Sequence, residues 1–94
     1  MNKSLIVQKY GGTSVGTLER IERVADRIVK IRKTGTDIVV VVSAMAGETD
    51  KLLKMARSLS KNPARREIDL LLSSGERISA ALLTIALQTR GIPA

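Results

Sequence analysis

Leu5-Ile6-Val7-Gln8-Lys9-Tyr10-Gly11-Gly12 is the stretch on which the fold turns. A short apolar run ends at two glycines, which reads as a buried strand stopped by a tight turn. From Leu18 the spacing changes. Leu18, Ile21, Val24, Ala25, Ile28 and Ile31 recur at helical intervals, with Glu19, Arg20, Glu22, Arg23 and Arg27 on the other sides. Thr17 or Ser14 suits the cap at its start, and Gly35 stands where a left-handed residue closes a helix. Ile38-Val39-Val40-Val41-Val42 then gives a β-branched run, the pattern of a parallel strand covered on both faces. Residues 5–43 therefore read strand, glycine loop, helix, strand: one βαβ unit with a right-handed crossover.

The remainder reads as helical. Leu52, Leu53, Met55, Ala56 and Leu59 form one face, with Thr49 or Asp50 as N-cap. Asn62-Pro63 breaks the pattern, and Pro63 suits the opening of the next helix. Ile68, Leu70, Leu71 and Leu72 follow, then Ser73-Ser74-Gly75, and a last helix covers about Glu76 to Arg90, stopped by Gly91 and Pro93. Two parallel strands do not make a viable sheet, and Gly91-Ile92-Pro93-Ala94 reads as the lead-in to a further strand. The expectation is an N-terminal part of a larger domain.

Composition narrows the chemistry. The 94 residues include no Cys and no His, so thiolate or imidazole metal sites and histidine acid–base catalysis are excluded. With no Trp, no Phe and a single Tyr, almost nothing can stack on nucleobases. The 16 Lys and Arg against 9 Asp and Glu leave a formal charge of +7, which points to an anionic partner. The basic residues are nevertheless spread along the chain, as on a solvated charged face. No signal-like segment opens the sequence, and no run approaches the ~18 apolar residues of a membrane span. A soluble cytoplasmic protein without membrane or nucleic-acid partner is expected.

Three segments carry chemistry. Lys9-Tyr10-Gly11-Gly12-Thr13-Ser14-Val15-Gly16 sets a lysine at a strand end, glycines in the turn, two hydroxyls and then a helix start. Glycines let backbone N–H groups approach an anion, and the helix terminus and lysine add positive charge. It is neither a Walker A loop nor a dinucleotide fingerprint. Ser43-Ala44-Met45-Ala46-Gly47-Glu48-Thr49-Asp50 follows the second strand, so in a parallel sheet both loops face the same edge. In Ser73-Ser74-Gly75-Glu76-Arg77-Ile78-Ser79, Glu76 falls in the first turn of the last helix. There it serves either the helix dipole or a substrate ammonium group.

Together, in this order and spacing, the three segments resemble the N-terminal portion of aspartate kinases, within the amino-acid kinase superfamily. The resemblance spans nearly the whole chain. It implies an α/β, three-layer αβα parallel-sheet fold of which residues 1–94 hold the N-terminal βαβ unit and following helices, without the rest of the catalytic domain or the regulatory ACT domains. It further implies an ATP-dependent kinase that phosphorylates the side-chain carboxylate of L-aspartate, opening lysine, threonine and methionine biosynthesis. By the same resemblance Lys9 contacts the transferring phosphate, with Tyr10, Gly11 and Gly12 beside it. Ser43 and Gly47 line the phosphate and substrate region; Thr49 and Glu76 hold the aspartate. Tyr10 stands where phenylalanine is frequent in the family. Mg2+ would be carried by the nucleotide, with no metal ligand assigned in this chain, and the full-length protein is expected to be a homo-oligomer. The fragment alone is expected to be inactive.

The alternatives are another amino-acid kinase, acting on glutamate, acetylglutamate or UMP, and a non-enzymatic basic anion-binding module. A structural fragment that self-associates through its valine strand is a third.

Overall fold

A computed structural model describes residues 4–94. The order is β1 (Leu5–Tyr10), α1 (Leu18–Arg32), β2 (Asp37–Val42), α2 (Glu48–Leu59) and α3 (Arg65–Thr89). β1 and β2 pair in parallel, in register from Leu5 opposite Asp37 to Tyr10 opposite Val42. The βαβ unit is thus as the periodicity implies. Thr17 is the cap of α1, its hydroxyl oxygen accepting the Arg20 N–H at 3.2 Å, and Gly35 and Gly91 both take positive φ.

The core lies between one face of the sheet and α1 and α3. Tyr10, Val15, Ile21, Val24, Ala25, Ile28, Leu83 and Leu87 are buried there, with Ile38, Val40 and Val42 packed against them. At the end of α3, Ile92 N–H bonds Leu87 O and Gly91 N–H bonds Gln88 O, both at 3.0 Å, the double bond of a glycine-terminated helix. Arg90 reaches across to Asp26 of α1 at 2.8 Å.

The cover that the β2 pattern asks for is present on one face within these residues: Val39 and Val41 are 47% and 46% exposed, beside exposed Leu5 and Val7 of β1. Among the described residues a single helical layer exists, so alternate residues of both strands face outward. Three expectations need correction. The N-cap of α2 is Gly47, at φ 81°, so Thr49 and Asp50 lie inside the first turn. Pro63 precedes the Ala64 cap rather than opening α3.

The largest correction is α3, which runs unbroken through Ser73-Ser74-Gly75. The Ser73 and Ser74 hydroxyls donate to Leu70 O at 3.0 and 2.9 Å, satisfying themselves on the preceding turn instead of ending the helix. Glu76 is therefore in mid-helix, and no helix dipole accounts for it. The continuous 25-residue helix also has the length and composition of a membrane span, which the divided reading did not allow for. Here its Gly75, Ser79, Leu83 and Leu87 positions are buried against the other elements.

Candidate functional site

The two loops at the carboxyl ends of β1 and β2 are stitched together by backbone. Ser43 N–H donates to Tyr10 O at 3.1 Å, and Ala46 N–H donates to Gly12 O at 3.1 Å. The approach is close enough that a Cβ on Gly12 would lie 2.9 Å from Ala44 O. Only glycine admits a neighbouring backbone at that distance. α3 joins from the other side, where a Cβ on Gly75 would stand 2.8 Å from the Ala44 methyl. Ala44, only 7% exposed, is the point where the three chemistry-bearing segments meet.

Within the glycine loop the carbonyls are turned inward. Gly11 O accepts from Ser14 N–H at 3.0 Å, Gly12 O from Ala46, and Thr13 O from Gly16 N–H at 3.4 Å and from Arg20 Nη1 at 2.8 Å. A trans peptide points its C=O and N–H in opposite directions. Tying down Gly11 O and Gly12 O therefore directs the N–H groups of Gly12 and Thr13 away from those partners. Neither N–H has an acceptor among the described residues.

Lys9 is exposed at the end of β1. It lines a concavity of about 540 Å3 together with Tyr10, Ser14, Arg20, Arg23, Val24 and Arg27. Arg23 pairs with Glu19 at 2.6 Å. Lys9, Arg20 and Arg27 pair with no carboxylate among the described residues. Gly12 and Thr13 do not line that concavity; free amide donors in the loop and uncompensated cations nearby in sequence are each suited to an anion such as phosphate. No group of three or more Asp or Glu side chains converges as a metal site among these residues.

The structure brings Tyr10, Gly11, Gly12, Ser43 and Gly47 into the paired loops. Tyr10 is itself in the core, its hydroxyl donating to Gln8 Oε1 at 2.8 Å, so it reaches the loop chiefly through its backbone. Ser43 is half-buried and Gly47 exposed. Thr49 and Glu76 are exposed, Thr49 in the first turn of α2 and Glu76 one residue beyond the Gly75–Ala44 contact. Neither lines the Lys9 concavity. A groove of about 420 Å3 between β2, α1 and the end of α3 holds none of the candidate residues. The sequence reading missed Ala44 and Gly75 as contact points and Arg20 as a loop partner. Small residues at 44, 46 and 75 are the one trace the former leave in the sequence.

Comparison with known proteins bears on the family and the fold. The model of the amino acid kinase family matches residues 4–94. An aspartate kinase of Stutzerimonas stutzeri is 57% identical over 91 residues, covering 97% of this chain and 22% of that protein. An aspartokinase of Pseudomonas aeruginosa is 55% identical over 91 residues, with the same coverage. The crystal structure of aspartate kinase from Synechocystis superposes with a TM-score of 0.94 at 57% identity, covering 97% of this chain and 16% of that one. The chain spans about a fifth of the length of the curated relatives it matches.

Proposed function

The chain belongs to the amino acid kinase family, and we propose that it forms the N-terminal part of an aspartate kinase catalytic domain. The reaction is transfer of the ATP γ-phosphoryl group to the side-chain carboxylate of L-aspartate, giving 4-phospho-L-aspartate. One observation carries the reading. The glycine loop that follows Lys9 in the chain leaves the Gly12 and Thr13 N–H groups unpartnered among the described residues, in a chain 54–57% identical to relatives named aspartate kinase or aspartokinase.

Phosphoryl transfer asks the protein mainly for positioning and charge stabilisation. A carboxylate oxygen attacks phosphorus while the bond to the ADP oxygen breaks. The nucleophile is already ionised at neutral pH, so no general base is needed. A chain without His or Cys is no poorer for it. In this reading Lys9 and the amides of Gly11 and Gly12 hold the transferring phosphate. Ser43 and Gly47 bound the space from the second loop, and Tyr10 fixes the strand end beneath them. Thr49 and Glu76 receive the aspartate, Glu76 through the ammonium group. Mg2+ would be held by the nucleotide phosphates and would supply charge neutralisation there. The protein works in the cytoplasm on small molecules, in lysine, threonine and methionine biosynthesis, and assembles as a homo-oligomer.

The test is aspartyl-hydroxamate formation from aspartate and ATP, comparing the 94-residue chain with a full-length protein that carries it. Activity confined to the longer protein is expected. Activity in neither, with both well folded, would overturn the reading.

A further inference from the structure

We propose that Arg20 is a positioning residue for the glycine loop, acting from α1 to aim the amide donors that face the ligand. The proposal rests on the reading of that loop as a phosphate cradle. Arg20 is anchored at both ends: its backbone N–H is held by the Thr17 cap at 3.2 Å, and its guanidinium reaches back seven residues to Thr13 O at 2.8 Å. That contact is shorter than the 3.4 Å bond from Gly16 N–H to the same oxygen. A charged donor makes the stronger hydrogen bond.

The consequence travels through two peptide planes. Holding Thr13 O in place points the Ser14 N–H, on the far side of the same peptide, at Gly11 O, which it meets at 3.0 Å. Holding Gly11 O in turn points the Gly12 N–H, again on the opposite side, away from the loop interior. Gly12 N–H has no acceptor among the described residues. A single guanidinium thus sets the direction of a donor it never touches. Arg20 pairs with no carboxylate among these residues, so no competing ion pair draws it away. Arg32, at the far end of the same helix, is the natural control. It pairs with Asp37 at 3.4 Å and does not line the Lys9 concavity.

The experiment compares Arg20→Gln, Arg20→Lys and Arg32→Gln in the full-length protein, by steady-state kinetics and by 15N-resolved amide spectra with and without inorganic pyrophosphate. Arg20→Gln should lower kcat by about tenfold to a hundredfold, the cost of slightly misplaced donors, with the aspartate KM unchanged. Arg20→Lys should recover part of the loss, and Arg32→Gln should behave as the parent protein. The Gly12 and Ser14 amide resonances should move in Arg20→Gln without ligand, and pyrophosphate should shift Gly12 less than in the parent. Parental kcat in Arg20→Gln overturns the proposal. So does an equal loss in Arg20→Lys accompanied by a lowered Tm in both variants, or unmoved Gly12 and Ser14 amides. If the parent protein itself phosphorylates no aspartate, it is the kinase reading that fails. The amide resonances then decide on Arg20 alone.

Discussion

Gly75 of α3 lies so close to Ala44, in the loop after β2, that a Cβ at position 75 would stand 2.8 Å from the Ala44 methyl. The long helix is thereby seated against the loop that also carries Ser43 and Gly47, and the next residue, Glu76, is delivered to its neighbourhood.

Gly75→Ala should destabilise the protein despite alanine's better helix propensity. Overpacking a tight contact costs roughly 1–3 kcal/mol, against a propensity gain of at most about 1 kcal/mol. Thermal denaturation of Gly75→Ala, Ala44→Gly and the double variant forms a cycle. The double variant should be more stable than Gly75→Ala; additive losses would refute the contact.

Gly11 and Gly12 are adjacent but differ in what surrounds them. A Cβ on Gly12 meets the backbone oxygen of Ala44 at 2.9 Å, which has no flexible end to move, whereas one on Gly11 meets nothing within 4 Å. Gly12→Ala should lose about 1–3 kcal/mol, with a weakened Ala46–Gly12 bond. Gly11→Ala should remain within about 0.5 kcal/mol of the parent. Urea denaturation midpoints of the two variants decide the comparison.

Gly47 caps α2 at φ 81° in open space, so its constraint is conformational alone. Gly47→Ala should cost roughly 1–2 kcal/mol, the penalty of a left-handed L-residue. Gly47→Asn should cost less, because asparagine tolerates that region. The Tm order parent, Asn, Ala is the expected result.

Glu76 is exposed and makes no hydrogen bond or ion pair among the described residues, so structure gives it no stabilising duty. In the full-length enzyme, Glu76→Ala should leave Tm unchanged and raise the aspartate KM about tenfold or more, as loss of a charged contact does. The ATP KM should stay constant. An equal rise in both would count against an ammonium-binding role.

Much of the fold is legible locally. The Leu5–Tyr10 strand, the α1 stripe from Leu18 to Ile31 and the valine strand follow from nearest-neighbour periodicity, and Gly35 and Gly91 from the φ that helix ends demand. α3 runs through Ser73-Ser74-Gly75, where the residue types imply a break, for a physical reason. Serine and glycine disfavour helix interiors only while their alternatives are better. Here the serines bond back to Leu70, and Gly75 is needed by its neighbour Ala44.

The sequence by itself determined the βαβ unit, the glycines that end its helices and the identity of the residues that bear charge. These depend on residue type and spacing over a few positions. Only the tertiary structure decided that Gly12, Ala44 and Gly75 converge, that Arg20 turns back onto Thr13 and that Val39 and Val41 face outward. Contacts between distant segments depend on how the elements pack, and spacing along the chain carries no measure of that.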